Sequence, residues 1–254
     1  MASALGSLEG RVAVVTGGGG GLGEGICDAL TGAGAAVAVV EPELAKAASR
    51  ADAVLSSGGR ALAVEGDVAS RASVEAMTEA VIAEFGGVDI LVNNAAIYPS
   101  RPWTEIEEDE WDKVLATNLK GYFLCARAAH SSMAERGNGR IINLASVTFL
   151  VGFADLLDYV SSKGGVVGFT RALAREVGPE GITVNAVSPG AFPTDAEKIH
   201  PDPEGYNQWI LGQQSLKRRG TPADVGELVA FLASDAASFI TGQLIGIDGG
   251  WAMH

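Results

Sequence analysis

The chain is poor in cysteine and in cations and has no long apolar run, and each shortage excludes a class of protein. Cys27 and Cys125 are its only cysteines, too few for a disulfide framework or a zinc site. Lys and Arg number 18 against 31 Asp and Glu, a formal net charge of −13, which disfavours binding to nucleic acid or anionic lipid. No apolar run approaches the roughly 20 residues that span a bilayer, and residues 1–9 lack a signal-peptide pattern. We expect a cytoplasmic protein with no nucleic-acid, membrane or metal partner.

Short runs rich in Val and Ile alternate with amphipathic segments along the chain. The predicted strands are residues 11–16, 35–41, 60–65, 88–93, 140–145, 183–188 and 244–247. The second run is apolar at successive positions rather than alternating, which is typical of a parallel strand covered by helices on both faces. Without a linker or repeat, this alternation predicts a single α/β domain over residues 1–254. We expect a Rossmann-type, doubly wound parallel sheet with helices on both faces.

Two segments between the predicted strands carry apolar residues at helical spacing. In the first, Leu22, Ile26 and Leu30 share one face, and Gly32 and Gly34 supply a stop signal. The second repeats this spacing with Val74, Met77, Val81 and Phe85. Both segments are predicted to be helices that pack on the sheet.

The one long irregular stretch is residues 191–214, which contain Pro193, Pro201 and Pro203. A loop of this length in a compact domain is usually functional or mobile, so we interpret it as a substrate lid. Trp209, at a helical end of this segment, has two possible positions, the substrate pocket or a subunit interface, and the sequence does not choose between them.

A glycine-rich turn lies where the first predicted strand meets the first helix, over residues 16–23. Such a turn lets the backbone approach a pyrophosphate, while the N–H groups of the helix N-terminus face its charge. Glu41 ends the second predicted strand, where a carboxylate would accept hydrogen bonds from the adenosine ribose and repel a 2′-phosphate. The turn contains no Lys or Arg, and Pro42 follows Glu41. The expected cofactor is therefore NAD(H) rather than NADP(H).

Tyr159 and Lys163 stand one helical turn apart, and Ser146 follows the predicted strand at 140–145. Reduction of a carbonyl by hydride requires a proton for the developing alkoxide, and oxidation requires its removal. A phenol is a poor base at neutral pH, but an ammonium about 4 Å away at an effective dielectric of about 20 favours the phenolate by about 4 kcal/mol. This would bring the pKa of Tyr159 to about 7. Ser146 would hold the substrate oxygen.

The order and spacing of these features resemble the short-chain dehydrogenase/reductase family, in its compact single-domain subgroup. The similarity extends over nearly the whole chain. It rests on residues 16–23, 66–68 and 93–96, on Asn118, Ser146, Tyr159 and Lys163, and on residues 189–194 and 247–250.

The resemblance assigns roles to further residues. Asn118 would organise a water that links the active-site lysine to solvent and would join Ser146, Tyr159 and Lys163 as the catalytic residues. Tyr159 and Lys163 would also contact the cofactor. The other implied cofactor-binding residues are Gly17, Gly21, Leu22, Gly23, Glu41, Asp67, Val68, Asn94, Ala96, Pro189, Gly190, Phe192 and Thr194. Ala96 departs from the glycine that is usual in the family.

The expected function is an NAD(H)-dependent oxidoreductase that interconverts a hydrophobic, aryl or cyclic, secondary alcohol and its ketone. Mainly apolar positions would select that substrate: Tyr98, 147–149, 153–157 and the lid. One alternative is a 3-oxoacyl carrier-protein reductase, which would need a local basic patch, for example Arg171, Arg175 and residues 217–219. Another is a regulator that binds NADH without catalysis. The resemblance also implies a homotetramer.

Overall fold

A seven-stranded, entirely parallel sheet forms the centre of the protein in a computed structural model, which describes residues 6–194, 197 and 201–253. The strands are β1 Val12–Thr16, β2 Ala36–Glu41, β3 Arg60–Glu65, β4 Ile90–Asn93, β5 Arg140–Leu144, β6 Thr183–Pro189 and β7 Leu244–Ile247. Their order is β3-β2-β1-β4-β5-β6-β7. Every predicted strand is confirmed, with differences of one or two residues at the ends.

Helices cover both faces of this sheet. They are α1 Leu22–Gly32, α2 Leu44–Ser56, α3 Arg71–Phe85, α4 Glu108–Leu115, α5 Gly121–Arg136, α6 Thr148–Val151, α7 Leu157–Val177, α8 Pro203–Gln213 and α9 Pro222–Ala233. One turn of π-helix, Ala116–Lys120, joins α4 to α5.

Alternate residues of each strand enter two separate apolar layers, which explains why the strands have no polar face. In β1, Ala13 and Val15 pack with α1, α2 and α9, whereas Val12 and Val14 pack with α3, α5 and α7. The predicted helical faces pack into these layers, with Leu22 and Phe85 partly buried and the other five residues buried. The expected doubly wound, Rossmann-type fold in one domain is confirmed.

Residues 191–214 are not irregular throughout, so that part of the prediction is wrong. The second half of the segment is helix α8, which begins at Pro203. Asp202 caps it by accepting a hydrogen bond from the N–H of Gly205 at 2.9 Å. Proline is favoured at a first helical position because it needs no N–H partner there. Pro203 therefore starts a helix rather than breaking one. Residues 195, 196 and 198–200 of the predicted lid lie outside the described residues.

The sheet order reverses between β1 and β4, so the chain leaves these strands toward opposite faces. At such a point the loops that follow the strands diverge and open a crevice at the carboxyl edge of the sheet. Within the described ranges, no helix is long and apolar enough to cross a membrane, and no cluster of His, Cys, Asp and Glu could hold a metal ion.

Candidate active site

A cavity of about 1240 Å³ opens at this carboxyl edge, and it brings together most of the residues that the sequence singled out. Its wall includes Gly17, Gly21, Leu22, Glu41, Asp67, Val68, Asn94, Ala96, Ser146, Tyr159, Lys163, Pro189, Gly190, Phe192 and Thr194. Two predicted site residues, Gly23 and Asn118, lie behind the wall. The cavity exceeds the roughly 300–1,000 Å³ of small-molecule pockets, as a site for both a dinucleotide and a substrate must.

The glycine turn at one end of the cavity packs closely against the segment that follows β4. Gly17 has φ +64°, and a Cβ on it would lie 2.9 Å from Cα of Ala95. The amide of Asn94 braces the turn by donating to the carbonyls of Thr16 at 3.1 Å and Gly17 at 2.8 Å. Gly23 acts in packing, because a Cβ there would overlap the carbonyl oxygen of Gly17. The assignment of Gly23 to the cofactor stays a prediction.

Helix α1 starts at the cavity wall and has no side-chain cap at Gly21. The N–H groups of a first helical turn have no partner within the helix, and they favour a negative group. Thr194 faces the same point, since a Cβ on Gly21 would lie 3.9 Å from Cβ of Thr194. A tight glycine turn, an uncapped helix and a hydroxyl fit the pyrophosphate of a dinucleotide.

Glu41 lies at the end of β2 and is fixed by two partners. Its Oε1 accepts a hydrogen bond from the N–H of Gly19 at 2.8 Å and lies 3.8 Å from Nζ of Lys46. Lys46 also lines the cavity. Sequence reasoning missed Lys46 because it considered only the turn and the residue after Glu41. The available signal was its position in the first turn of α2.

Three further predicted positions flank this region. The carboxylate of Asp67 accepts from the N–H of Ala69 at 2.9 Å, which shapes the turn after β3. Val68 is buried beside it, against Gly121. Ala96 has no positive φ, so its backbone does not require the glycine that is usual in the family.

Ser146, at the end of β5, and Tyr159, in α7, are joined by a hydrogen bond between their side chains. The same Ser146 Oγ accepts from Oγ1 of Thr148 at 2.9 Å and from the N–H of Thr148 at 3.2 Å. Two donors from Thr148 therefore converge on the hydroxyl oxygen of Ser146, which leaves the hydrogen of Ser146 to be donated toward Tyr159. The sequence predicted the Ser–Tyr pair but not the contribution of Thr148, which it assigned only to substrate selection.

Lys163 is buried, and its hydrogen bonds are made to groups other than Tyr159. Its Nζ donates to the carbonyl of Leu144 at 2.6 Å and to the hydroxyl of Tyr122 at 3.1 Å. Tyr122 in turn donates to the same carbonyl at 3.2 Å. The ammonium lies 5.2 Å from the ring centroid of Tyr122 and 5.6 Å from that of Tyr159. Sequence reasoning missed Tyr122, although its position one helical turn after Asn118 was a usable signal.

The expected pKa of about 7 for Tyr159 is wrong for the protein on its own. Burial, the largest effect, raises the pKa of Tyr159 to about 12, despite the opposing hydrogen bond with Ser146. Burial also lowers the pKa of Lys163 to about 7. The cost of burying each charge outweighs the attraction between the two charges in the protein on its own.

Asn118 is fully buried in the π turn between α4 and α5. Its Oδ1 accepts from the N–H of Ile97 at 2.9 Å, and its Nδ2 donates to the carbonyl of Ile97 and to Ser162 Oγ at 2.8 and 3.1 Å. The amide group therefore connects the loop after β4, through Ile97, with helix α7, through Ser162. The side chain holds the loop and the helix together rather than facing the cavity. π turns occur often at functional sites.

The end of the cavity beyond Tyr159 is aromatic. Trp209, in α8, packs its ring edge-on against Phe153 at 5.8 Å and Trp251 at 5.5 Å, and it stacks on Tyr206 at 5.9 Å. Phe153, Tyr206 and Trp251 line the cavity, while Trp209 lies behind them and is 43% exposed. Trp209 thus supports these rings from behind the cavity wall, while its exposed part is available to a subunit interface.

Comparison with known proteins agrees with this geometry. Residues 17–252 match a family model described as enoyl-(acyl carrier protein) reductase. The chain is 38% identical over 243 residues to the hydroxy(phenyl)methylsuccinyl-CoA dehydrogenase subunit BbsD of Thauera aromatica, covering 96% of this chain and 97% of that protein. It is 39% identical over 247 residues to the 3-oxoacyl-acyl-carrier-protein reductase FabG of Vibrio cholerae, covering 97% and 99%.

Two solved structures have the same fold. One is a putative short-chain alcohol dehydrogenase from Sinorhizobium meliloti, with TM-score 0.93, 40% identity and coverage of 96% of this chain and 97% of that one. The other is a gluconate 5-dehydrogenase from Burkholderia cenocepacia in complex with NADP and tartrate, with TM-score 0.92, 33% identity and coverage of 96% of both chains. The chain belongs to the short-chain dehydrogenase/reductase family of oxidoreductases, which act on CH–OH groups.

Proposed function

We propose that this protein is an NAD(H)-dependent dehydrogenase that interconverts a hydrophobic, aryl or cyclic, secondary alcohol and its ketone. The observation that carries the proposal is the placement of Ser146 and Tyr159 between the glycine turn and an aromatic cavity end. A nicotinamide dinucleotide bound in the cavity, with its pyrophosphate at the glycine turn, would supply or accept the hydride. The remaining requirements, an oxygen-binding group and a proton donor, come from this chain.

The proton chemistry is assigned to the end of β5. Ser146 would donate a hydrogen bond to the substrate oxygen, because its own oxygen already accepts from Thr148. Tyr159 would give or take the proton at that substrate oxygen. Lys163, the one cation in contact with the ring of Tyr159 among the described residues, would favour the phenolate. Asn118 would hold α7 against the loop after β4 and so fix the position of Tyr159 in the cavity wall.

The assignment of NAD(H) rests on Glu41. Its side chain is 7% exposed and is held by the N–H of Gly19, so it cannot swing away freely from a ribose bound at the end of β2. A carboxylate accepts the 2′- and 3′-hydroxyls but repels a 2′-phosphate. The gluconate 5-dehydrogenase structure contains NADP, and the ratio of kcat/KM for NADH and NADPH tests the assignment for this chain.

The assignment of substrate class rests on the rings of Phe153, Tyr206 and Trp251 along the cavity wall. Such rings bury a flat apolar group through offset and edge contacts. The relative from Thauera aromatica is named for a hydroxyl on a phenyl-bearing carbon, which is an aryl secondary alcohol. We propose that α8 and the segment before it, within residues 191–214, act as the lid over this group.

A 3-oxoacyl carrier-protein reductase is the second candidate, supported by the similarity to the Vibrio cholerae enzyme. Carrier proteins are acidic and dock on exposed basic patches. Here Arg218 pairs with Asp224 at 2.7 Å, Arg219 pairs with Glu197, and Lys217 donates to carbonyls at the end of α8. The basic segment is thus committed to contacts within the chain, which favours the alcohol dehydrogenase.

The two enzyme candidates are separated by one assay series. NADH and NADPH oxidation would be followed by the loss of the absorbance of the reduced nicotinamide, with acetophenone, cyclohexanone and acetoacetyl-CoA as substrates. We expect turnover of the aryl or cyclic ketone with NADH. Higher kcat/KM for acetoacetyl-CoA would favour the carrier-protein reductase. Tight NADH binding without turnover of any ketone would favour a non-catalytic regulator.

We further propose that the protein assembles as a homotetramer. Phe123 on α5 and Leu157 on α7 are exposed apolar residues on helices outside the cavity, and Met253 is exposed near the chain end. Exposed apolar groups of this kind favour association when they form a continuous patch. Light scattering after size-exclusion chromatography would measure the mass, and a monomer would contradict the proposal.

A further inference from the structure

Asp158, which precedes Tyr159 in the first turn of α7, is a carboxylate that the proposed proton chemistry does not use. It is 1% exposed, and its Oδ1 accepts a hydrogen bond from the backbone N–H of Tyr159 at 2.7 Å. Its Oδ2 is also buried and has no hydrogen-bond partner among the described residues. Because aspartate is rarely buried in this way without a paired charge, the burial of Asp158 points to a specific role.

The hydrogen bond of Asp158 compensates for a missing helix cap. The N–H groups of a first helical turn have no partner within the helix, and Leu156, the N-cap residue of α7, makes no side-chain cap. Tyr159 is the third residue of this helix, so its N–H has no acceptor in the helix itself. Asp158 supplies that acceptor, and its negative charge is favoured at this end of the helix dipole.

The carbonyl of Tyr159 is bonded to a side chain as well. Its oxygen accepts from Oγ of Ser162 at 2.6 Å, and the same Oγ accepts from Nδ2 of Asn118 at 3.1 Å. Side chains therefore hold the backbone of Tyr159 at both of its peptide groups. The phenol that this backbone carries is bonded to Ser146 at the cavity wall.

A similar contact in another helix shows what distinguishes Asp158. Asp109 is also the second residue of its helix, α4, and its Oδ1 accepts from the N–H of Glu110 at 2.9 Å. Asp109 is exposed, so its charge remains hydrated. Asp158 makes the contact where burying a charge costs free energy and where a hydrogen bond is stronger. Departures of this kind from the usual rules of burial occur mainly at functional sites.

We propose that Asp158 is a positioning residue for the reaction. Its carboxylate fixes the first turn of α7 and thereby determines where the phenol of Tyr159 lies relative to Ser146. Asp158 does not belong to the cavity wall as the described residues form it, so it acts through the backbone of Tyr159 rather than on the substrate. The inference rests on the proposed function, because it takes Tyr159 as the proton donor and acceptor.

The test measures ketone reduction by the full chain with NADH and either acetophenone or cyclohexanone, whichever the wild type reduces faster. Asp158→Leu removes the acceptor at similar side-chain size, so kcat should fall about 10- to 100-fold, the cost of misplacing a reacting group by about 1 Å. KM and the Kd for NADH should stay unchanged. Asp158→Asn keeps an oxygen that can accept from the N–H of Tyr159 and should retain kcat within about threefold.

The solvent deuterium isotope effect on kcat separates a positioning role from a merely structural one. It should rise in Asp158→Leu, because proton transfer from a misplaced phenol becomes the slower step. Ser162→Ala releases the carbonyl of the same tyrosine and should likewise lower kcat and raise the isotope effect. The matched control is Asp109→Leu, which removes the equivalent contact in α4 and should leave both quantities unchanged.

Wild-type kcat in Asp158→Leu, or an equal loss of kcat in Asp158→Asn, would overturn the role of Asp158. If Asp158→Leu is too unstable to assay, wild-type kcat and isotope effect in Ser162→Ala would overturn it instead. Tyr159→Phe is measured alongside to separate this inference from the proposed function. Full activity of Tyr159→Phe, or no ketone reduction by the wild type, would contradict the proposed function and the role of Asp158 together. An inactive Tyr159→Phe beside a fully active Asp158→Leu would contradict the role of Asp158 alone.

Discussion

Replacing Tyr122 by Phe tests how the protein controls the charge of Lys163. The substitution keeps the ring that packs beside the ammonium and removes only the hydroxyl, which lies 3.1 Å from Nζ. Lys163 would retain a single protein acceptor among its described hydrogen bonds, the carbonyl of Leu144. Since no carboxylate is bonded to this buried cation, each neutral acceptor counts strongly toward its charged form.

The magnitude follows from the hydrogen bond that is lost. A hydrogen bond to a charged group contributes about 1.5–3 kcal/mol, which corresponds to about 1–2 pKa units at roughly 1.4 kcal/mol per unit. The hydroxyl stabilises the ammonium, so its removal must lower the pKa of Lys163 further, from about 7 toward about 5 to 6. At neutral pH the charged fraction would drop from about one half to about one tenth or less.

The assay is the pH dependence of kcat/KM for alcohol oxidation in wild type and Tyr122→Phe. We expect the alkaline limb, on which the ammonium is lost, to move by about 1–2 pH units toward acid. Because Tyr159 and Lys163 interact, this limb belongs to the pair rather than to one residue. A lowered denaturation midpoint with an unshifted limb would show that Tyr122 is only a packing residue and would refute the reasoning.

Three other outcomes follow from the same site. The pKa of Lys163 lies below its ordinary value of 10.5 at about 7, so the unfolded chain binds the extra proton. Relative to Lys163→Met, wild type should therefore gain about 3–4 kcal/mol in the free energy of unfolding as pH rises from 7 to 10, measured by urea denaturation. Thr148→Val should lower kcat about 2- to 10-fold with little change in KM, because one neutral hydrogen bond to Ser146 is lost, while Thr148→Ser should retain activity. Trp209→Ala should raise the KM for an aryl ketone about tenfold, as its ring contacts with Phe153 and Trp251 disappear, without changing the Kd for NADH.

The strands and the layering could be predicted because burial on both faces leaves a strong pattern. A run such as that of β2 is apolar at nearly every position, and few structures other than a covered parallel strand require this. Helix α8 could not be predicted in the same way. Its prolines suggest an irregular segment until Asp202 is recognised as a cap that places Pro203 at the first helical position. Composition alone does not distinguish a proline that breaks a helix from one that starts it.

The site was predictable only as far as strand ends and helical spacing determine position. Ser146, Glu41 and the glycine turn all follow strands, and the carboxyl ends of parallel strands meet at one edge. Spacing placed Lys163 one turn from Tyr159, yet it did not determine where the ammonium points. The position of the ammonium depends on two acceptors, the hydroxyl of Tyr122 on another helix and the buried carbonyl of Leu144. Such contacts between distant segments leave no periodic signal in the sequence.

Burial therefore has two opposite consequences in this site. It brings Lys163 and Tyr159 close together without competing water, which strengthens any attraction between their charged forms. It also disfavours each charge separately, raising the pKa of Tyr159 to about 12 and lowering that of Lys163 to about 7. The isolated protein thus holds a protonated phenol beside an amine that is about half protonated at neutral pH. If Tyr159 acts as the proposed acid and base, groups that enter the cavity would have to stabilise its phenolate before the pair becomes charge-separated. The proton chemistry would then be coupled to occupancy of the cavity, and Tyr122, a hydrogen-bond partner of the Lys163 ammonium, would set how large that stabilisation must be.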